Sequence, residues 1–181
     1  MNLVQALLSE HSKAMSDKIV RHIGNDPKRF ADLVRIYLAG PYRVTQRAAW
    51  PLSHCGGLHP SLIRLHLRKI LKAVRAPGIH DAVKRNTVRM LQFIEIPKAH
   101  QGDVAAVCFE FLMNPKEPIA VRVFSMTVLA NLAKLLPDLQ GELRIVIEDQ
   151  LPFGSPGFIN RAKKILKDLK PGLAESQRIG R

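Results

Sequence analysis

Cysteines and large aromatic residues are scarce in this sequence: two cysteines, one tryptophan and two tyrosines among 181 residues. The cysteines, Cys55 and Cys108, are too few for a disulfide framework and suit a reducing compartment. No apolar run approaches the ~20 residues of a membrane span. The opening stretch MNLVQALLSEHSKAMSDKIV carries an acid and polar positions where a signal peptide has a plain apolar block. Cytoplasmic residence without a membrane partner is therefore expected. Enzyme signatures are missing: there is no phosphate-binding Gly loop, GxSxG, HExxH or HRD pattern. No catalytic residue and no cofactor is assigned. Glu148 and Asp149 are adjacent, so on a helix they point apart and make a poor acid–base pair.

Acidic residues are the other shortage. Fifteen Asp and Glu stand against 28 Lys and Arg, a net charge of +13. Such an excess favours nucleic acid or another polyanion as partner, and a basic soluble protein without one is the plainer reading.

Proline and glycine cut the chain into helix-length pieces, and β signals are nearly absent. Gly24-Asn25-Asp26-Pro27 reads as a helix stop followed by an Asp N-cap with Pro at the first helical position. Ser155-Pro156 repeats the cap-then-Pro arrangement, and Gly40-Pro41, Ala76-Pro77-Gly78, Asn114-Pro115 and Pro137-Asp138 are further breaks. Helices are expected near 12–23, 27–39, 41–55, 60–75, 79–95, 102–113, 117–136, 139–150 and 156–169, with a short one at 2–10. The segment at 117–136 is unusual, because between Pro118 and Pro137 it holds only Arg122 and Lys134 as charges. A helix apolar over most of its circumference is surrounded by others. Val121, Phe124, Val128 and Leu132 are expected in the core, with Arg122 reaching the surface.

The helices pair, and the pairs recur. VTQRAAWPL, VKRNTVRML, VRVFSMTVL and INRAKKILK begin at residues 44, 83, 121 and 159, spacings of 39, 38 and 38. The preceding segments FADLVRIYL, SLIRLHLRKIL, DVAAVCFEFLM and ELRIVIEDQL fall into step. This period and helix–turn–helix shape resemble HEAT repeats over about residues 26–170. The resemblance implies an all-α, right-handed superhelical α–α solenoid of about four helix pairs with an N-terminal capping helix. One domain over 1–170 is expected: a cap at 1–25, repeats near 26–58, 59–97, 98–137 and 138–170, then a flexible basic tail at 171–181. The family's usual Asp and Arg are matched loosely by Asp81 and Arg85, so no polar ladder is expected. Family members serve as scaffolds, transport adaptors and regulatory subunits, and a minority are nucleic-acid enzymes.

Basic residues cluster. Between Arg64 and Arg89 lie eight Lys or Arg and one acid, Asp81. On a helix over 60–75, Arg64, Arg68, Lys72 and Arg75 form a stripe opposite Ile63, Leu67, Ile70, Leu71 and Val74. Lys84, Arg85 and Arg89 follow on the next helix, and Arg161, Lys164 and Lys167 make a second cluster. Such rows can track phosphates, and a solvated helix face is the plainer reading. Trp50 precedes Pro51 within a helix and reads as an aromatic packed above a kink. Architecture and basicity also resemble the HEAT-like alkylpurine DNA glycosylases, whose tryptophan-and-aspartate pattern is not recognisable here. His54, Cys55, His59 and His66 do not have the spacing of a structural zinc site. The first expectation is a non-catalytic module binding a protein or peptide. The second is nucleic-acid binding through the Arg64–Arg89 surface, and the third is base excision.

Overall fold

The computed structural model describes residues 1–169, so Lys170 and the tail expected at 171–181 lie outside the described residues. Two compact units divide the chain, Met1–His100 and the part from Gln101 onward. Among the described residues all regular structure is helical.

The first unit holds α1 (Leu3–Ser9), α2 (Lys13–Ile23), α3 (Pro27–Ala39), α4 (Tyr42–Leu58), α5 (Pro60–Arg64), α6 (Leu67–Val74) and α7 (Asp81–Leu91). Local chemistry sets their ends. The Asp26 carboxylate accepts from the backbone N–H of Lys28 and Arg29 at 2.8 and 3.1 Å, and Pro27 occupies the first turn, where no N–H is needed. Gly24 ends α2 at φ +50°, a conformation that costs glycine nothing. α4 continues past Pro51 to Leu58, longer than the 41–55 expected.

α4 is the hub of this unit: it packs on α7 and α3, and also on α1, α2 and α5. α6 packs on α3 and α7. Second helices therefore meet second helices and first meet first, which is how stacked pairs bury stripes that no pair can bury alone. Phe30 and Leu33 of α3, Ala48 and Cys55 of α4, and Val88 of α7 are fully enclosed. A polar contact within this core joins the Tyr37 hydroxyl and Thr87 Oγ1 at 2.9 Å. Thr87 spends its own proton on the Val83 carbonyl, so the phenol is the donor. Burial pushes the Tyr37 hydroxyl up to about 12.

α8 (Lys98–Met113) leads into the second unit, which continues with α9 (Ile119–Ala133), α10 (Leu139–Gln150), a tight turn at Leu151–Phe153 and α11 (Pro156–Asp168). Ser155 caps α11 by accepting from Phe158 N at 3.3 Å, as the Ser-Pro pair implies. α9 packs on α10 and α11.

Three expectations need correction. The helix expected at 60–75 is broken at Leu65–His66, where His66 N donates back only three residues to Ile63 O. No Gly or Pro marks the break. The His66 ring lies 5.7 Å from that of Phe30 in α3, so tertiary packing sets the bend. Arg64 thus sits on a different helix from Arg68 and Lys72, with Arg75 just past the end of α6. Phe124 is half-buried, unlike Val121, Val128 and Leu132, which are buried. Arg122 does not reach freely into water: it is half-buried and braced on three sides.

That brace belongs to a recurring device. Each helix ends in carbonyls with no intrahelical partner, and in this fold arginines donate to them. Arg47 Nη1 donates to Leu7 O and Leu8 O at the end of α1, at 2.8 and 3.0 Å. Arg29 Nη1 donates to His22 O at the end of α2, and Arg122 Nε to Leu112 O at the end of α8. Arg144 Nη2 donates to Leu169 O at 2.6 Å, just past α11. A cation at a helix C-terminus also meets the negative end of the macrodipole. Part of the positive excess is therefore structural.

Candidate partner groove and basic surfaces

The seven residues of the first candidate surface are spread over α5, α6 with the residue that ends it, and α7. Arg64 is exposed on α5, which packs on α4, while Arg68 and Lys72 are exposed on α6, which packs on α3 and α7, and Arg75 is exposed just past its end. On α7, which packs on α4, Arg85 is exposed while Lys84 and Arg89 are half-buried. In the second cluster Lys164 and Lys167 are exposed, and Arg161 is half-buried with Nη1 donating to Thr127 Oγ1 at 2.7 Å.

Arg89 marks a feature that charge patterning does not reveal. It lines a groove of about 320 Å³ together with Ser53, His54, Gly57 and Leu58 of α4 and Phe93 just beyond α7. Leu58 and Phe93 are each 65% exposed, which leaves two large apolar side chains beside a concave wall with nothing covering them. Gly57 adds to the hollow, because a Cβ built there meets nothing within 4 Å. No lining residue is acidic, and Arg89 supplies the one cation. Phe93 was not identifiable beforehand, since a lone Phe after a helix reads equally well as core.

The polar edge of this groove is fixed by Trp50 and His54. Trp50 is half-buried one residue before Pro51, and its indole Nε1–H donates to His54 Nε2 at 3.2 Å. The His11 ring meets the indole edge-on at 5.7 Å. Accepting from Trp50 requires His54 to be neutral at Nε2. Burial is the main cause holding its pKa below the usual histidine value, and the Arg89 charge adds to it against the opposing charge of Asp17. Asp17 is itself engaged by Lys13 at 2.8 Å.

Other chemistry is sparse. Cys55 and Cys108 are buried, and burial pushes both thiols up to about 12, far from the range of a nucleophile. His54, Cys55, His59 and His66 do not converge, and among the described residues no group of three His, Cys, Asp or Glu gathers as a ligand set. Among the described residues no helix is long and apolar enough to cross a membrane.

Comparison with curated proteins and with solved structures returned no significant match. Comparison with protein families matched the HEAT repeat domain over residues 3–169, nearly all of the chain. Helix pairs at a 38-residue period, second helix stacked on second helix within the first unit, and this match together place the chain in the HEAT repeat family.

Proposed function

We propose that this chain is a non-catalytic adaptor that captures an acidic protein or peptide segment in the α4–α7 groove, anchoring an apolar side chain between Leu58 and Phe93. HEAT repeats commonly serve as scaffolds for protein interactions. The observation that carries the reading is the pair of exposed apolar side chains flanking a hollow with one cation. A concave apolar pocket with few polar groups is the usual form of a recognition site, and exposed aromatics dominate the energy of such contacts. Arg89, with Arg85 one turn earlier on α7 and a net charge of +13, selects acid in the ligand.

The test is selection of a displayed random-peptide library on the full chain. Enriched sequences should share an apolar anchor flanked by Asp or Glu. Phe93→Ala should weaken the selected peptide at least about tenfold, as expected for loss of a central aromatic anchor. Gly57→Trp should do the same by filling the hollow, and Arg89→Gln should reduce the salt dependence. Enrichment without a common anchor, or affinity indifferent to Phe93→Ala, would remove the reading. Tight binding of single-stranded DNA that Phe93→Ala leaves intact would put nucleic acid in its place.

A further inference from the structure

A second concave site lies in the second unit and has different chemistry. It occupies about 290 Å³ between α9 and α11, with Gln140 of α10 on a third side. Its walls present Thr127, Asn131, Lys134, Arg161 and Lys164, against one carboxylate, Asp168. Here we propose a binding site for a phosphomonoester, the terminal phosphate of a phosphorylated side chain or small molecule.

Three cations share one hollow, and none makes an ion pair with Asp168 or with any other acid among the described residues. Like charges gathered around a concavity repel one another, and the low-dielectric walls strengthen that repulsion. A bound anion attracts each of the three cations and so offsets that repulsion.

Arg161 is already aimed. Its Nη1 donates to Thr127 Oγ1 at 2.7 Å, while Thr127 donates its hydroxyl proton to Val123 O at 3.0 Å. The threonine proton is committed to the backbone, so the oxygen can only accept, and the guanidinium orientation follows. One of five N–H groups is used in that bond, leaving a planar fork suited to two oxygens of one phosphate. Lys134 and Lys164 are exposed and supply mobile point charges.

The gathering of three cations on one hollow favours a terminal phosphate over a through-running backbone. A terminal phosphate is nearly a dianion at neutral pH and offers three acceptor oxygens to the three cations. A phosphodiester carries one charge per group and binds along open basic tracks.

Titration of inorganic phosphate and of phosphoserine into the full chain, followed by amide NMR shifts, tests the site. Shifts should concentrate at Thr127, Asn131 and Lys164. Lys164→Gln, at an exposed position that cannot unfold the chain, should weaken binding about threefold or more, and Arg161→Gln about tenfold. Affinity for phosphoserine should rise roughly fourfold between pH 5.5 and 7.5, as its second phosphate proton with pKa near 6 is lost. Phosphoserine binding well above inorganic phosphate assigns a phosphorylated side chain as the source, and equal binding assigns a small phosphorylated molecule. Unchanged binding in both variants overturns the site. So does an equal loss in an Arg64→Gln, Arg68→Gln double variant, which would report charge alone. A single-stranded oligonucleotide without terminal phosphates that competes at equal phosphate concentration would show a backbone-tracking surface instead.

Discussion

Gly56→Leu is expected to destabilise the first unit severely, while Gly57→Leu, one residue along the same helix, leaves it as stable as before or more so. Both glycines lie near the end of α4, where glycine costs about 1 kcal/mol relative to alanine. They differ in what stands opposite. A Cβ at Gly56 would lie 2.5 Å from Met90 Sδ and 2.9 Å from its Cγ, with Ile63 Cδ1 at 3.4 Å. Met90 is 1% exposed, so its thioether can move only into packed core. Overpacking of this kind costs ~1–3 kcal/mol or more, and leucine adds three further carbons beyond the Cβ. The α4–α7 contact that glycine permits is the main packing of the unit, so the strain cannot be confined to a surface. Urea denaturation should show a lowered midpoint for Gly56→Leu and a wild-type or higher one for Gly57→Leu. Met90→Ala should recover much of the loss in the double variant, because it vacates the space that leucine needs. Equal effects of the two substitutions would show that helix propensity, not packing, governs this helix end.

Arg122→Met is expected to cost ~2–3 kcal/mol, the scale of a charged hydrogen bond lost with its partner left buried. Arg122 Nε donates to Leu112 O at 3.2 Å and its Nη2 to Gln150 Oε1, while the guanidinium carbon lies 4.8 Å from the centre of the Phe158 ring. One side chain of α9 thus ties the ends of α8 and α10 and the first turns of α11. Burial lowers its pKa from the ordinary arginine value, yet a guanidinium stays protonated at any physiological pH. Methionine keeps the contact with Phe158 and loses both hydrogen bonds, so the variant isolates the polar part. Amide exchange should quicken at the ends of α8 and α10 and in the first turns of α11. A coupling of ~1 kcal/mol or more with Gln150→Ala would confirm that the two side chains act as a pair. A midpoint shift within ~0.5 kcal/mol of wild type, the range of an ordinary surface substitution, would return Arg122 to the solvated role first expected of it.

How far the sequence carried depended on whether a signal was local. Asp26-Pro27, Ser155-Pro156 and Gly24 act on backbone groups within a few residues, so the helix ends they set were legible. The helix-pair period was legible as well, because stacking forces each unit to repeat the same apolar stripe. The break at His66 was not: its cause is the Phe30 ring of another helix, and the sequence around it has continuous helical periodicity. Arg122 was misplaced for the same reason, since its partners lie 10 and 28 residues away. Counting cations overstated the free charge, because a count cannot separate Arg47, bound to the end of α1, from Arg68, exposed on α6. The groove needed coordinates altogether. Its wall joins Gly57 and Leu58 to Arg89 and Phe93, residues that only the α4–α7 contact brings together.

A photo-activated cross-linking residue placed at Leu58 or at Phe93 of the full chain, irradiated in lysate, tests the adaptor reading most directly. Leu65, 84% exposed on the same unit, serves as the comparison position. A discrete protein adduct is expected from Leu58 and Phe93, lost when Gly57→Trp fills the groove and missing from Leu65. Adducts equal at all three positions, or adducts removed by nuclease and untouched by Gly57→Trp, would contradict it.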